Sequence, residues 1–445
     1  MKELILKIRD INSTGQGVAL SEEGKVIFVD GALPGERVLV SMIQEKKNYG
    51  RARLMEIESP SDDRVTPKCP WFGSCGGCQI QHGSYGLQIS LKEAMVKSTM
   101  ERIGGVDVAE VICVPSERRW EYRNKASFPV RAGKEGGIGF FSANSHLIVP
   151  VDRCPVLKPE IDSIYSAIRR DLQEELSSPG FFYNEKNNSG FLRHIVARSN
   201  ENKELLLMLV VSNFNKKLMN KVGSYLKSKY RDKLLSFSWN LNDKKTNRII
   251  GDETFPAWGG NLILEKLGDF SFRYDGTAFF QVNTLQAENL FELASEWAAS
   301  PEDRVVELYS GVGALTSYLS KNAKSVLAVE EWRPSVERLE ENMSFNGIKN
   351  VNSLCGKAEE LIKAMIKEKP KVVVVDPPRT GCAPEVLSAV TESVASKLVY
   401  VSCNPATLAR DTAILIKAGW NFSELRSFDL FPQTCHVETV VRFTR

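Results

Sequence analysis

Residues 304–313, Arg-Val-Val-Glu-Leu-Tyr-Ser-Gly-Val-Gly, decide the fold. The apolar run Arg304–Tyr309 reads as a buried strand, and Ser310-Gly311-Val312-Gly313 turns it into a helix from about Ala314 to Ser320. Outward from there the pattern repeats. Strand Ser325–Val329 ends in Glu330-Glu331 before a helix over Pro334–Asn346. Strand Lys371–Val375 ends in Asp376-Pro377-Pro378-Arg379, and strand Lys397–Val401 ends in Ser402-Cys403-Asn404-Pro405. Strands alternating with helices predict a doubly wound, Rossmann-like parallel sheet whose ligands sit beyond the carboxyl ends of its strands.

Those strand ends carry the chemistry. A glycine turn after one strand and an acid ending the next suit a nucleoside-bearing cofactor, and the gap from Gly311 to Glu330 is close to the expected ~20 residues. Thr316 stands where a dinucleotide fingerprint has its third glycine, so S-adenosylmethionine fits better than NAD. The two prolines after Asp376 make a stiff turn that aims polar groups into the cleft. Pro405 lacks an amide donor and pushes Asn404 out of helical geometry, which leaves Cys403 on a strand-to-helix turn. A helix N-terminus is where a thiolate is easiest to stabilise. Glu438 enters the apolar strand Thr439–Phe443, a place for a general base of raised pKa. An acid, a base, a thiol and a methyl-donor site are the set that carbon methylation of a pyrimidine needs, because C5 of uracil becomes nucleophilic only after something adds to C6.

The chain has 445 residues, enough for two or three domains, and no apolar run approaches the length that spans a bilayer. The charged start MKELILKIRD is unlike a secretory signal, so a cytoplasmic protein is expected. A net charge of +3 does not argue for nucleic acid by itself; local basic stretches must do so. Residues 1–60 read as a small β-barrel of five strands of the oligonucleotide-binding kind, with cations around Tyr49 at Lys46, Lys47, Arg51 and Arg53. Residues 61–275 form a central mixed α/β region, with a helix over Tyr85–Ile103 and a second basic–aromatic cluster from Arg118 to Lys125. Residues 276–445 form the doubly wound domain. Near the start of the central region, Cys69, Cys75 and Cys78 with intervening glycines can turn three sulfurs toward one ion or cluster. His82 and Cys154 are both candidates for a fourth ligand, and zinc and iron–sulfur both satisfy the ligand type.

With these motifs in this order the chain resembles the RNA 5-methyluridine (uracil-C5) methyltransferases that carry a TRAM domain and an iron–sulfur cluster. The likeness rests on the barrel at 1–60, Cys-x5-Cys-Gly-Gly-Cys, Asp376–Arg379 and Ser402–Pro405. The resemblance implies a 4Fe–4S cluster on Cys69, Cys75, Cys78 and Cys154, with His82 unligated. It implies Gln281, Tyr309, Glu330 and Asp376 around S-adenosylmethionine and the target base, Cys403 as nucleophile and Glu438 as the base that takes the C5 proton. Glu307 and Ala314 depart from the family's commoner residues, away from the reaction centre. RNA is the implied partner: 23S rRNA by domain composition, tRNA as the alternative, with no membrane and a monomer expected.

Three rivals predict different residues. An amino-methyltransferase follows its acid-Pro-Pro turn with an aromatic residue and needs no cysteine; here Arg379 and Cys403 stand instead. A radical S-adenosylmethionine enzyme leaves one iron open on three cysteines. A non-catalytic RNA-binding protein or chaperone would make no 5-methyluridine from RNA and labelled cofactor.

Overall fold

The computed structural model describes residues 2–133, 136–174, 176, 178–366 and 369–445. Among the described residues no helix is long and apolar enough to cross a membrane. The N-terminal unit is a six-stranded sheet, one strand more than the sequence predicts, because Asp10–Ile11 adds a short edge. Its two long strands, Arg37–Glu45 and Tyr49–Ser59, carry three register shifts, which bend the pair. The bend lets the pair meet Glu3–Lys7 on one side and Val26–Asp30 on the other, around a core that includes Ile8, Val29 and Val38. Fully buried Glu36 fastens this unit to the next: its carboxylate accepts from Arg64 Nε, from Leu33 N at 2.8 Å and from Ser61 N at 3.3 Å.

The central sheet has six strands, in the spatial order Glu253–Trp258, Ser236–Leu241, Leu205–Val211, Leu192–Ser199, Lys125–Arg131, Gly137–Ile138. Helices Pro159–Glu174 and Lys216–Tyr230 cover one face and bury Ile161, Ile168, Val222 and Leu226 against it. The other face meets the C-terminal domain, and Val196, Met208 and Val210 share a core with Phe280 and Leu290.

The C-terminal sheet has eight strands. Five run parallel in the order Val351–Cys355, Ser325–Glu330, Arg304–Leu308, Val372–Val375, Lys397–Ser402; antiparallel Glu438–Thr444 follows, then Asn421–Phe428. Two separate cores, one on each face, give the doubly wound arrangement. The eighth strand, Cys113–Val114, comes from the first third of the chain and pairs in parallel with Ser427–Phe428. Residues 85–114 thus lie on this domain rather than on the central sheet, with Val96 and Met100 in the same core as Leu408 and Tyr400. The helix expected over Tyr85–Ile103 is α-helical only over Tyr85–Thr99. It widens into a π turn at Met100–Gly104, where Gly104 lies against the backbone of Ala409. The hairpin Ile263–Leu267 and Phe270–Tyr274 also packs here: Ser271 N donates to Asn346 at 2.9 Å and Arg273 N to Asn342 at 2.8 Å.

Candidate active site

At the carboxyl edge of the parallel strands lies a cleft of about 510 Å³. Its floor begins with Tyr309, which leaves its strand with φ +65°, a left-handed conformation that costs a side-chain-bearing residue on the order of 1–2 kcal/mol. Gly311 and Gly313 continue the turn at φ +57° and +89°. At Gly313 a Cβ would lie 2.8 Å from Met343 and 2.9 Å from Leu339, so this glycine lets helix Ala314–Asn322 close on helix Arg333–Phe345. Glu330 stands behind the turn, outside the cleft lining. Its carboxylate accepts from Gly311 N at 3.0 Å and from Trp332 N at 2.8 Å, which fixes the shape of the glycine loop.

Gln281, Tyr309, Asp376, Cys403 and Glu438 all line this one cleft. Asn404 caps helix Pro405–Lys417 by accepting from Ala406 N at 3.1 Å, and its amide donates to Arg379 O at 2.9 Å. Ser402 Oγ brackets the turn from the other side, donating to Asn404 O and accepting from Asn404 N, both at 3.1 Å. Cys403 is held between the two.

Burial pushes the Cys403 thiol up to about 11; the charges of Glu438 and Asp376 raise it further and Arg379 opposes them. The helix N-terminus expected to favour a thiolate is outweighed by desolvation and two carboxylates. Burial also pushes Asp376 up to about 7, and it pushes Glu438 well above the usual carboxylate range, with the Asp376 charge adding to the rise. Charge on the thiol and charge on these carboxyls therefore oppose one another.

Glu307 and Ala314, the two departures from the family's commoner residues, line the cleft too. Glu307 is buried, with Oε2 unpartnered, and burial followed by the charges of Asp376 and Glu330 pushes it up to about 8. The sequence reading also missed Arg123, Phe279 and His436 in the lining. Phe279 is 71% exposed, an apolar ring open to stacking at the mouth. Its Phe-Phe-Gln-Val-Asn setting is a signal, since a solvent-facing aromatic beside buried Phe280 has no packing reason.

The loop from Asp429 to Val437 delivers His436 and Glu438, and the central region ties it down. Asp429 takes the buried ammonium of Lys92 and the hydroxyl of Tyr85 at 2.9 Å. Gln433, at φ +75°, accepts at its carbonyl from Gln79 N at 3.1 Å and Ile80 N at 3.2 Å. Those two amides directly follow Cys78.

Cys69, Cys75, Cys78 and Cys154 are free thiols that feel one another's charge. Gly77 N donates to Cys75 Sγ at 3.4 Å, and polar groups of Phe72, Gln81 and Leu157 lie near the other three sulfurs, with the Phe72 and Leu157 amides bonded to the Cys69 and Cys154 carbonyls at 3.1 Å. A donor such as Gly77 N suits sulfur that carries negative charge, as a cluster-bound thiolate does. Among the described residues no group of three or more His, Cys, Asp or Glu closes tightly enough to hold a single metal ion. His82 faces Arg64 and Glu36 instead, and burial, followed by the Arg64 charge, lowers it to about 4.

Residues 263–445 match the family described as tRNA (uracil-5-)-methyltransferase, and residues 2–55 match the TRAM domain. A protein of Clostridium tetani described as an uncharacterized RNA methyltransferase is 36% identical over 446 residues, covering 97% of this chain and 95% of its own. One of Caldanaerobacter subterraneus subsp. tengcongensis, similarly described, is 37% identical and covers 98% and 97%. Among solved structures, the Pyrococcus abyssi tRNA (uracil-54, C5)-methyltransferase in complex with S-adenosyl-L-homocysteine is similar with a TM-score of 0.79 and 27% identity, over 99% of both chains.

Proposed function

The chain belongs to the RNA uracil-C5 methyltransferases that carry a TRAM domain, which use S-adenosylmethionine, and from that premise we propose which of its residues do the chemistry. Cys403 Sγ, once its proton has left, adds to C6 of a uridine and forms an S–C6 bond, moving the ring electrons onto C5 and O4. S-adenosylmethionine supplies the methyl group when bound, and C5 takes it. The Glu438 carboxylate then removes the C5 proton; C5=C6 re-forms and Cys403 is expelled. Gln281, Tyr309, Glu330 and Asp376 surround cofactor and base, with Glu330 acting through the glycine loop. The observation that carries this reading is that Cys403, Asp376 and Glu438 share the cleft that the glycine turn floors. The target uridine must leave its stack to enter.

Cys403→Ala tests the assignment. It should abolish the covalent adduct with 5-fluorouridine RNA, and an adduct that survives in the variant rules Cys403 out.

Cys69, Cys75, Cys78 and Cys154 hold a 4Fe–4S cluster on this reading, supported by four thiols close enough to feel one another's charge and by the Gly77 amide that donates to Cys75 Sγ. It would fasten the segment after Cys78; methylation moves no electrons through it. Residues 1–60 grip RNA, 61–275 hold the cluster and more RNA, and 276–445 methylate, with residues 85–114 and the hairpin at 263–274 packed on the last. The substrate on this reading is 23S rRNA, on the pairing of TRAM domain and cysteine group. The likeness to a tRNA (uracil-54, C5)-methyltransferase supports tRNA as the second reading. Mapping 5-methyluridine in total RNA with and without this chain separates the two. One chain carries every residue named, so a monomer working in the cytoplasm suffices.

A further inference from the structure

Two neighbouring strands of the central sheet run in line from the cleft of Cys403 along the face that meets the C-terminal domain. On strand Lys125–Arg131 the alternating positions Lys125, Ser127 and Pro129 pair with Arg198, Val196 and His194 on strand Leu192–Ser199. Val196 lies in the core shared with the C-terminal domain, which identifies the face. Arg123, just before the first of these strands, lines the cleft of Cys403. Burial, followed by the charges of Arg198 and Arg123, holds Lys125 well below the usual lysine value, and Asp275 opposes them. Arg198 is buried and lies over the Tyr274 ring at 4.9 Å, and its Nε and Nη1 have no partner.

At the far end of this line is a second cavity of about 500 Å³, which includes Ser127, His194, Phe141, His146 and the glycines Gly76 and Gly77. It is roughly 20 Å from Arg123, six strand residues at ~3.3 Å each. Phe141 and His146 stack with centroids 4.8 Å apart and planes at 19°, and Arg131 lies over Phe141 at 5.1 Å. His194 is 5% exposed, and its buried Nδ1 has no hydrogen-bond partner. A buried imidazole nitrogen without a partner calls for a ligand. Burial, with Arg131 and Arg193 nearby, lowers the ring to about 3, so it is neutral and offers the donor and acceptor that a base edge needs. At Gly76 a Cβ would lie 3.0 Å from Ala143, which brings the cysteine loop hard against this wall.

We propose that this second cavity takes an unpaired nucleobase of the same RNA strand whose target uridine enters at Cys403. It rests on the reading of RNA as substrate and adds where that RNA is gripped. Stacking on Phe141 and His146 holds the base, and Ser127 and His194 read its edge. The enzyme would thus select a uridine by a second unpaired base at a fixed reach from it.

The test uses the full chain with its metal and total RNA from cells lacking the protein, labelled with 4-thiouridine. Irradiation should crosslink RNA to peptides spanning 140–146 as well as to the cleft. In methylation assays the double variant F141A/H146A should raise KM for RNA by about tenfold more than it lowers kcat, with KM for S-adenosylmethionine unmoved. Crosslinks in the cleft but none at 140–146, together with an unchanged KM, overturn the proposal. A chain that neither methylates nor crosslinks RNA overturns the RNA reading, and this proposal with it.

Discussion

The side-chain amide of Asn404 donates a 2.9 Å hydrogen bond to the carbonyl oxygen of Arg379. The turn that carries Cys403 is thereby fastened to the turn that starts at Asp376, and Thr407 Oγ1 adds a second bond to the same oxygen at 3.3 Å. Asn404→Ala removes a helix cap and this strap together. Loss of the cap should cost about 1 kcal/mol of stability. Misplacing the thiol should lower kcat on the order of tenfold to a hundredfold. Thermal unfolding and steady-state methylation read the two separately, and an unchanged kcat would show the strap to be idle.

Glu438 affects Cys403 in two opposite ways. Its charge is the first of the carboxylate effects that raise the thiol, so Glu438→Gln should lower the apparent pKa for alkylation of Cys403 by iodoacetamide below about 11. The same variant should stall after methyl transfer, with methylated RNA still bound to the protein. A more reactive thiol in a dead enzyme is the signature; normal turnover would remove Glu438 from the proton transfer.

The pH dependence of stability should report Glu307. Its folded value is pushed up to about 8 against an ordinary value of 4.5. A carboxyl raised in this way favours the fold fully below its unfolded value and loses that contribution as pH rises through the folded one. Glu307→Gln should therefore gain Tm relative to the parent at about pH 9 and little at about pH 5. Parallel Tm curves for the two proteins across that range would mean that Glu307 does not titrate where its burial implies.

Loss of one ligand of the proposed cluster should be felt at the cleft. Protein prepared without air should carry iron and acid-labile sulfide in equal amounts, and Cys154→Ser should lower both. Because Gln79 and Ile80 hold Gln433, the variant should also expose the loop at 429–437 to proteolysis. Full iron content in Cys154→Ser would assign the fourth ligand elsewhere.

Four of the five parallel strands and their terminal motifs were legible because each is an apolar run stopped by glycine, proline or an acid, signals that are local in the chain; Val351–Cys355, with polar and exposed positions, was not. Five of the expected site residues meet in one cleft, and four of them, Tyr309, Asp376, Cys403 and Glu438, lie at or next to the end of a strand. What was not legible depends on contacts far apart in sequence. Cys113–Val114 is too short to read as a strand until Asn421–Phe428 is beside it. His436 became a cleft residue only through the bonds that Gln88 and Tyr122 make to Gln433 and Pro432. The rise in the Cys403 pKa needed Glu438 and Asp376 placed near it; a helix N-terminus read from sequence carries no count of the carboxylates opposing it.

The eighth strand has a consequence for synthesis. Cys113–Val114 emerges from the ribosome more than three hundred residues before its partner strand, so the catalytic sheet cannot be finished until residues 421–444 have emerged as well. The helix at 85–99 and the π turn must wait with apolar side chains such as Val96 and Met100 uncovered, a burden for chaperones rather than for the ribosome. For the same reason residues 263–445 cut out alone would lack an edge strand and part of a core. The modules that look separable along the chain are one object in space, and swapping them between relatives should fail unless 85–114 travels with the catalytic half.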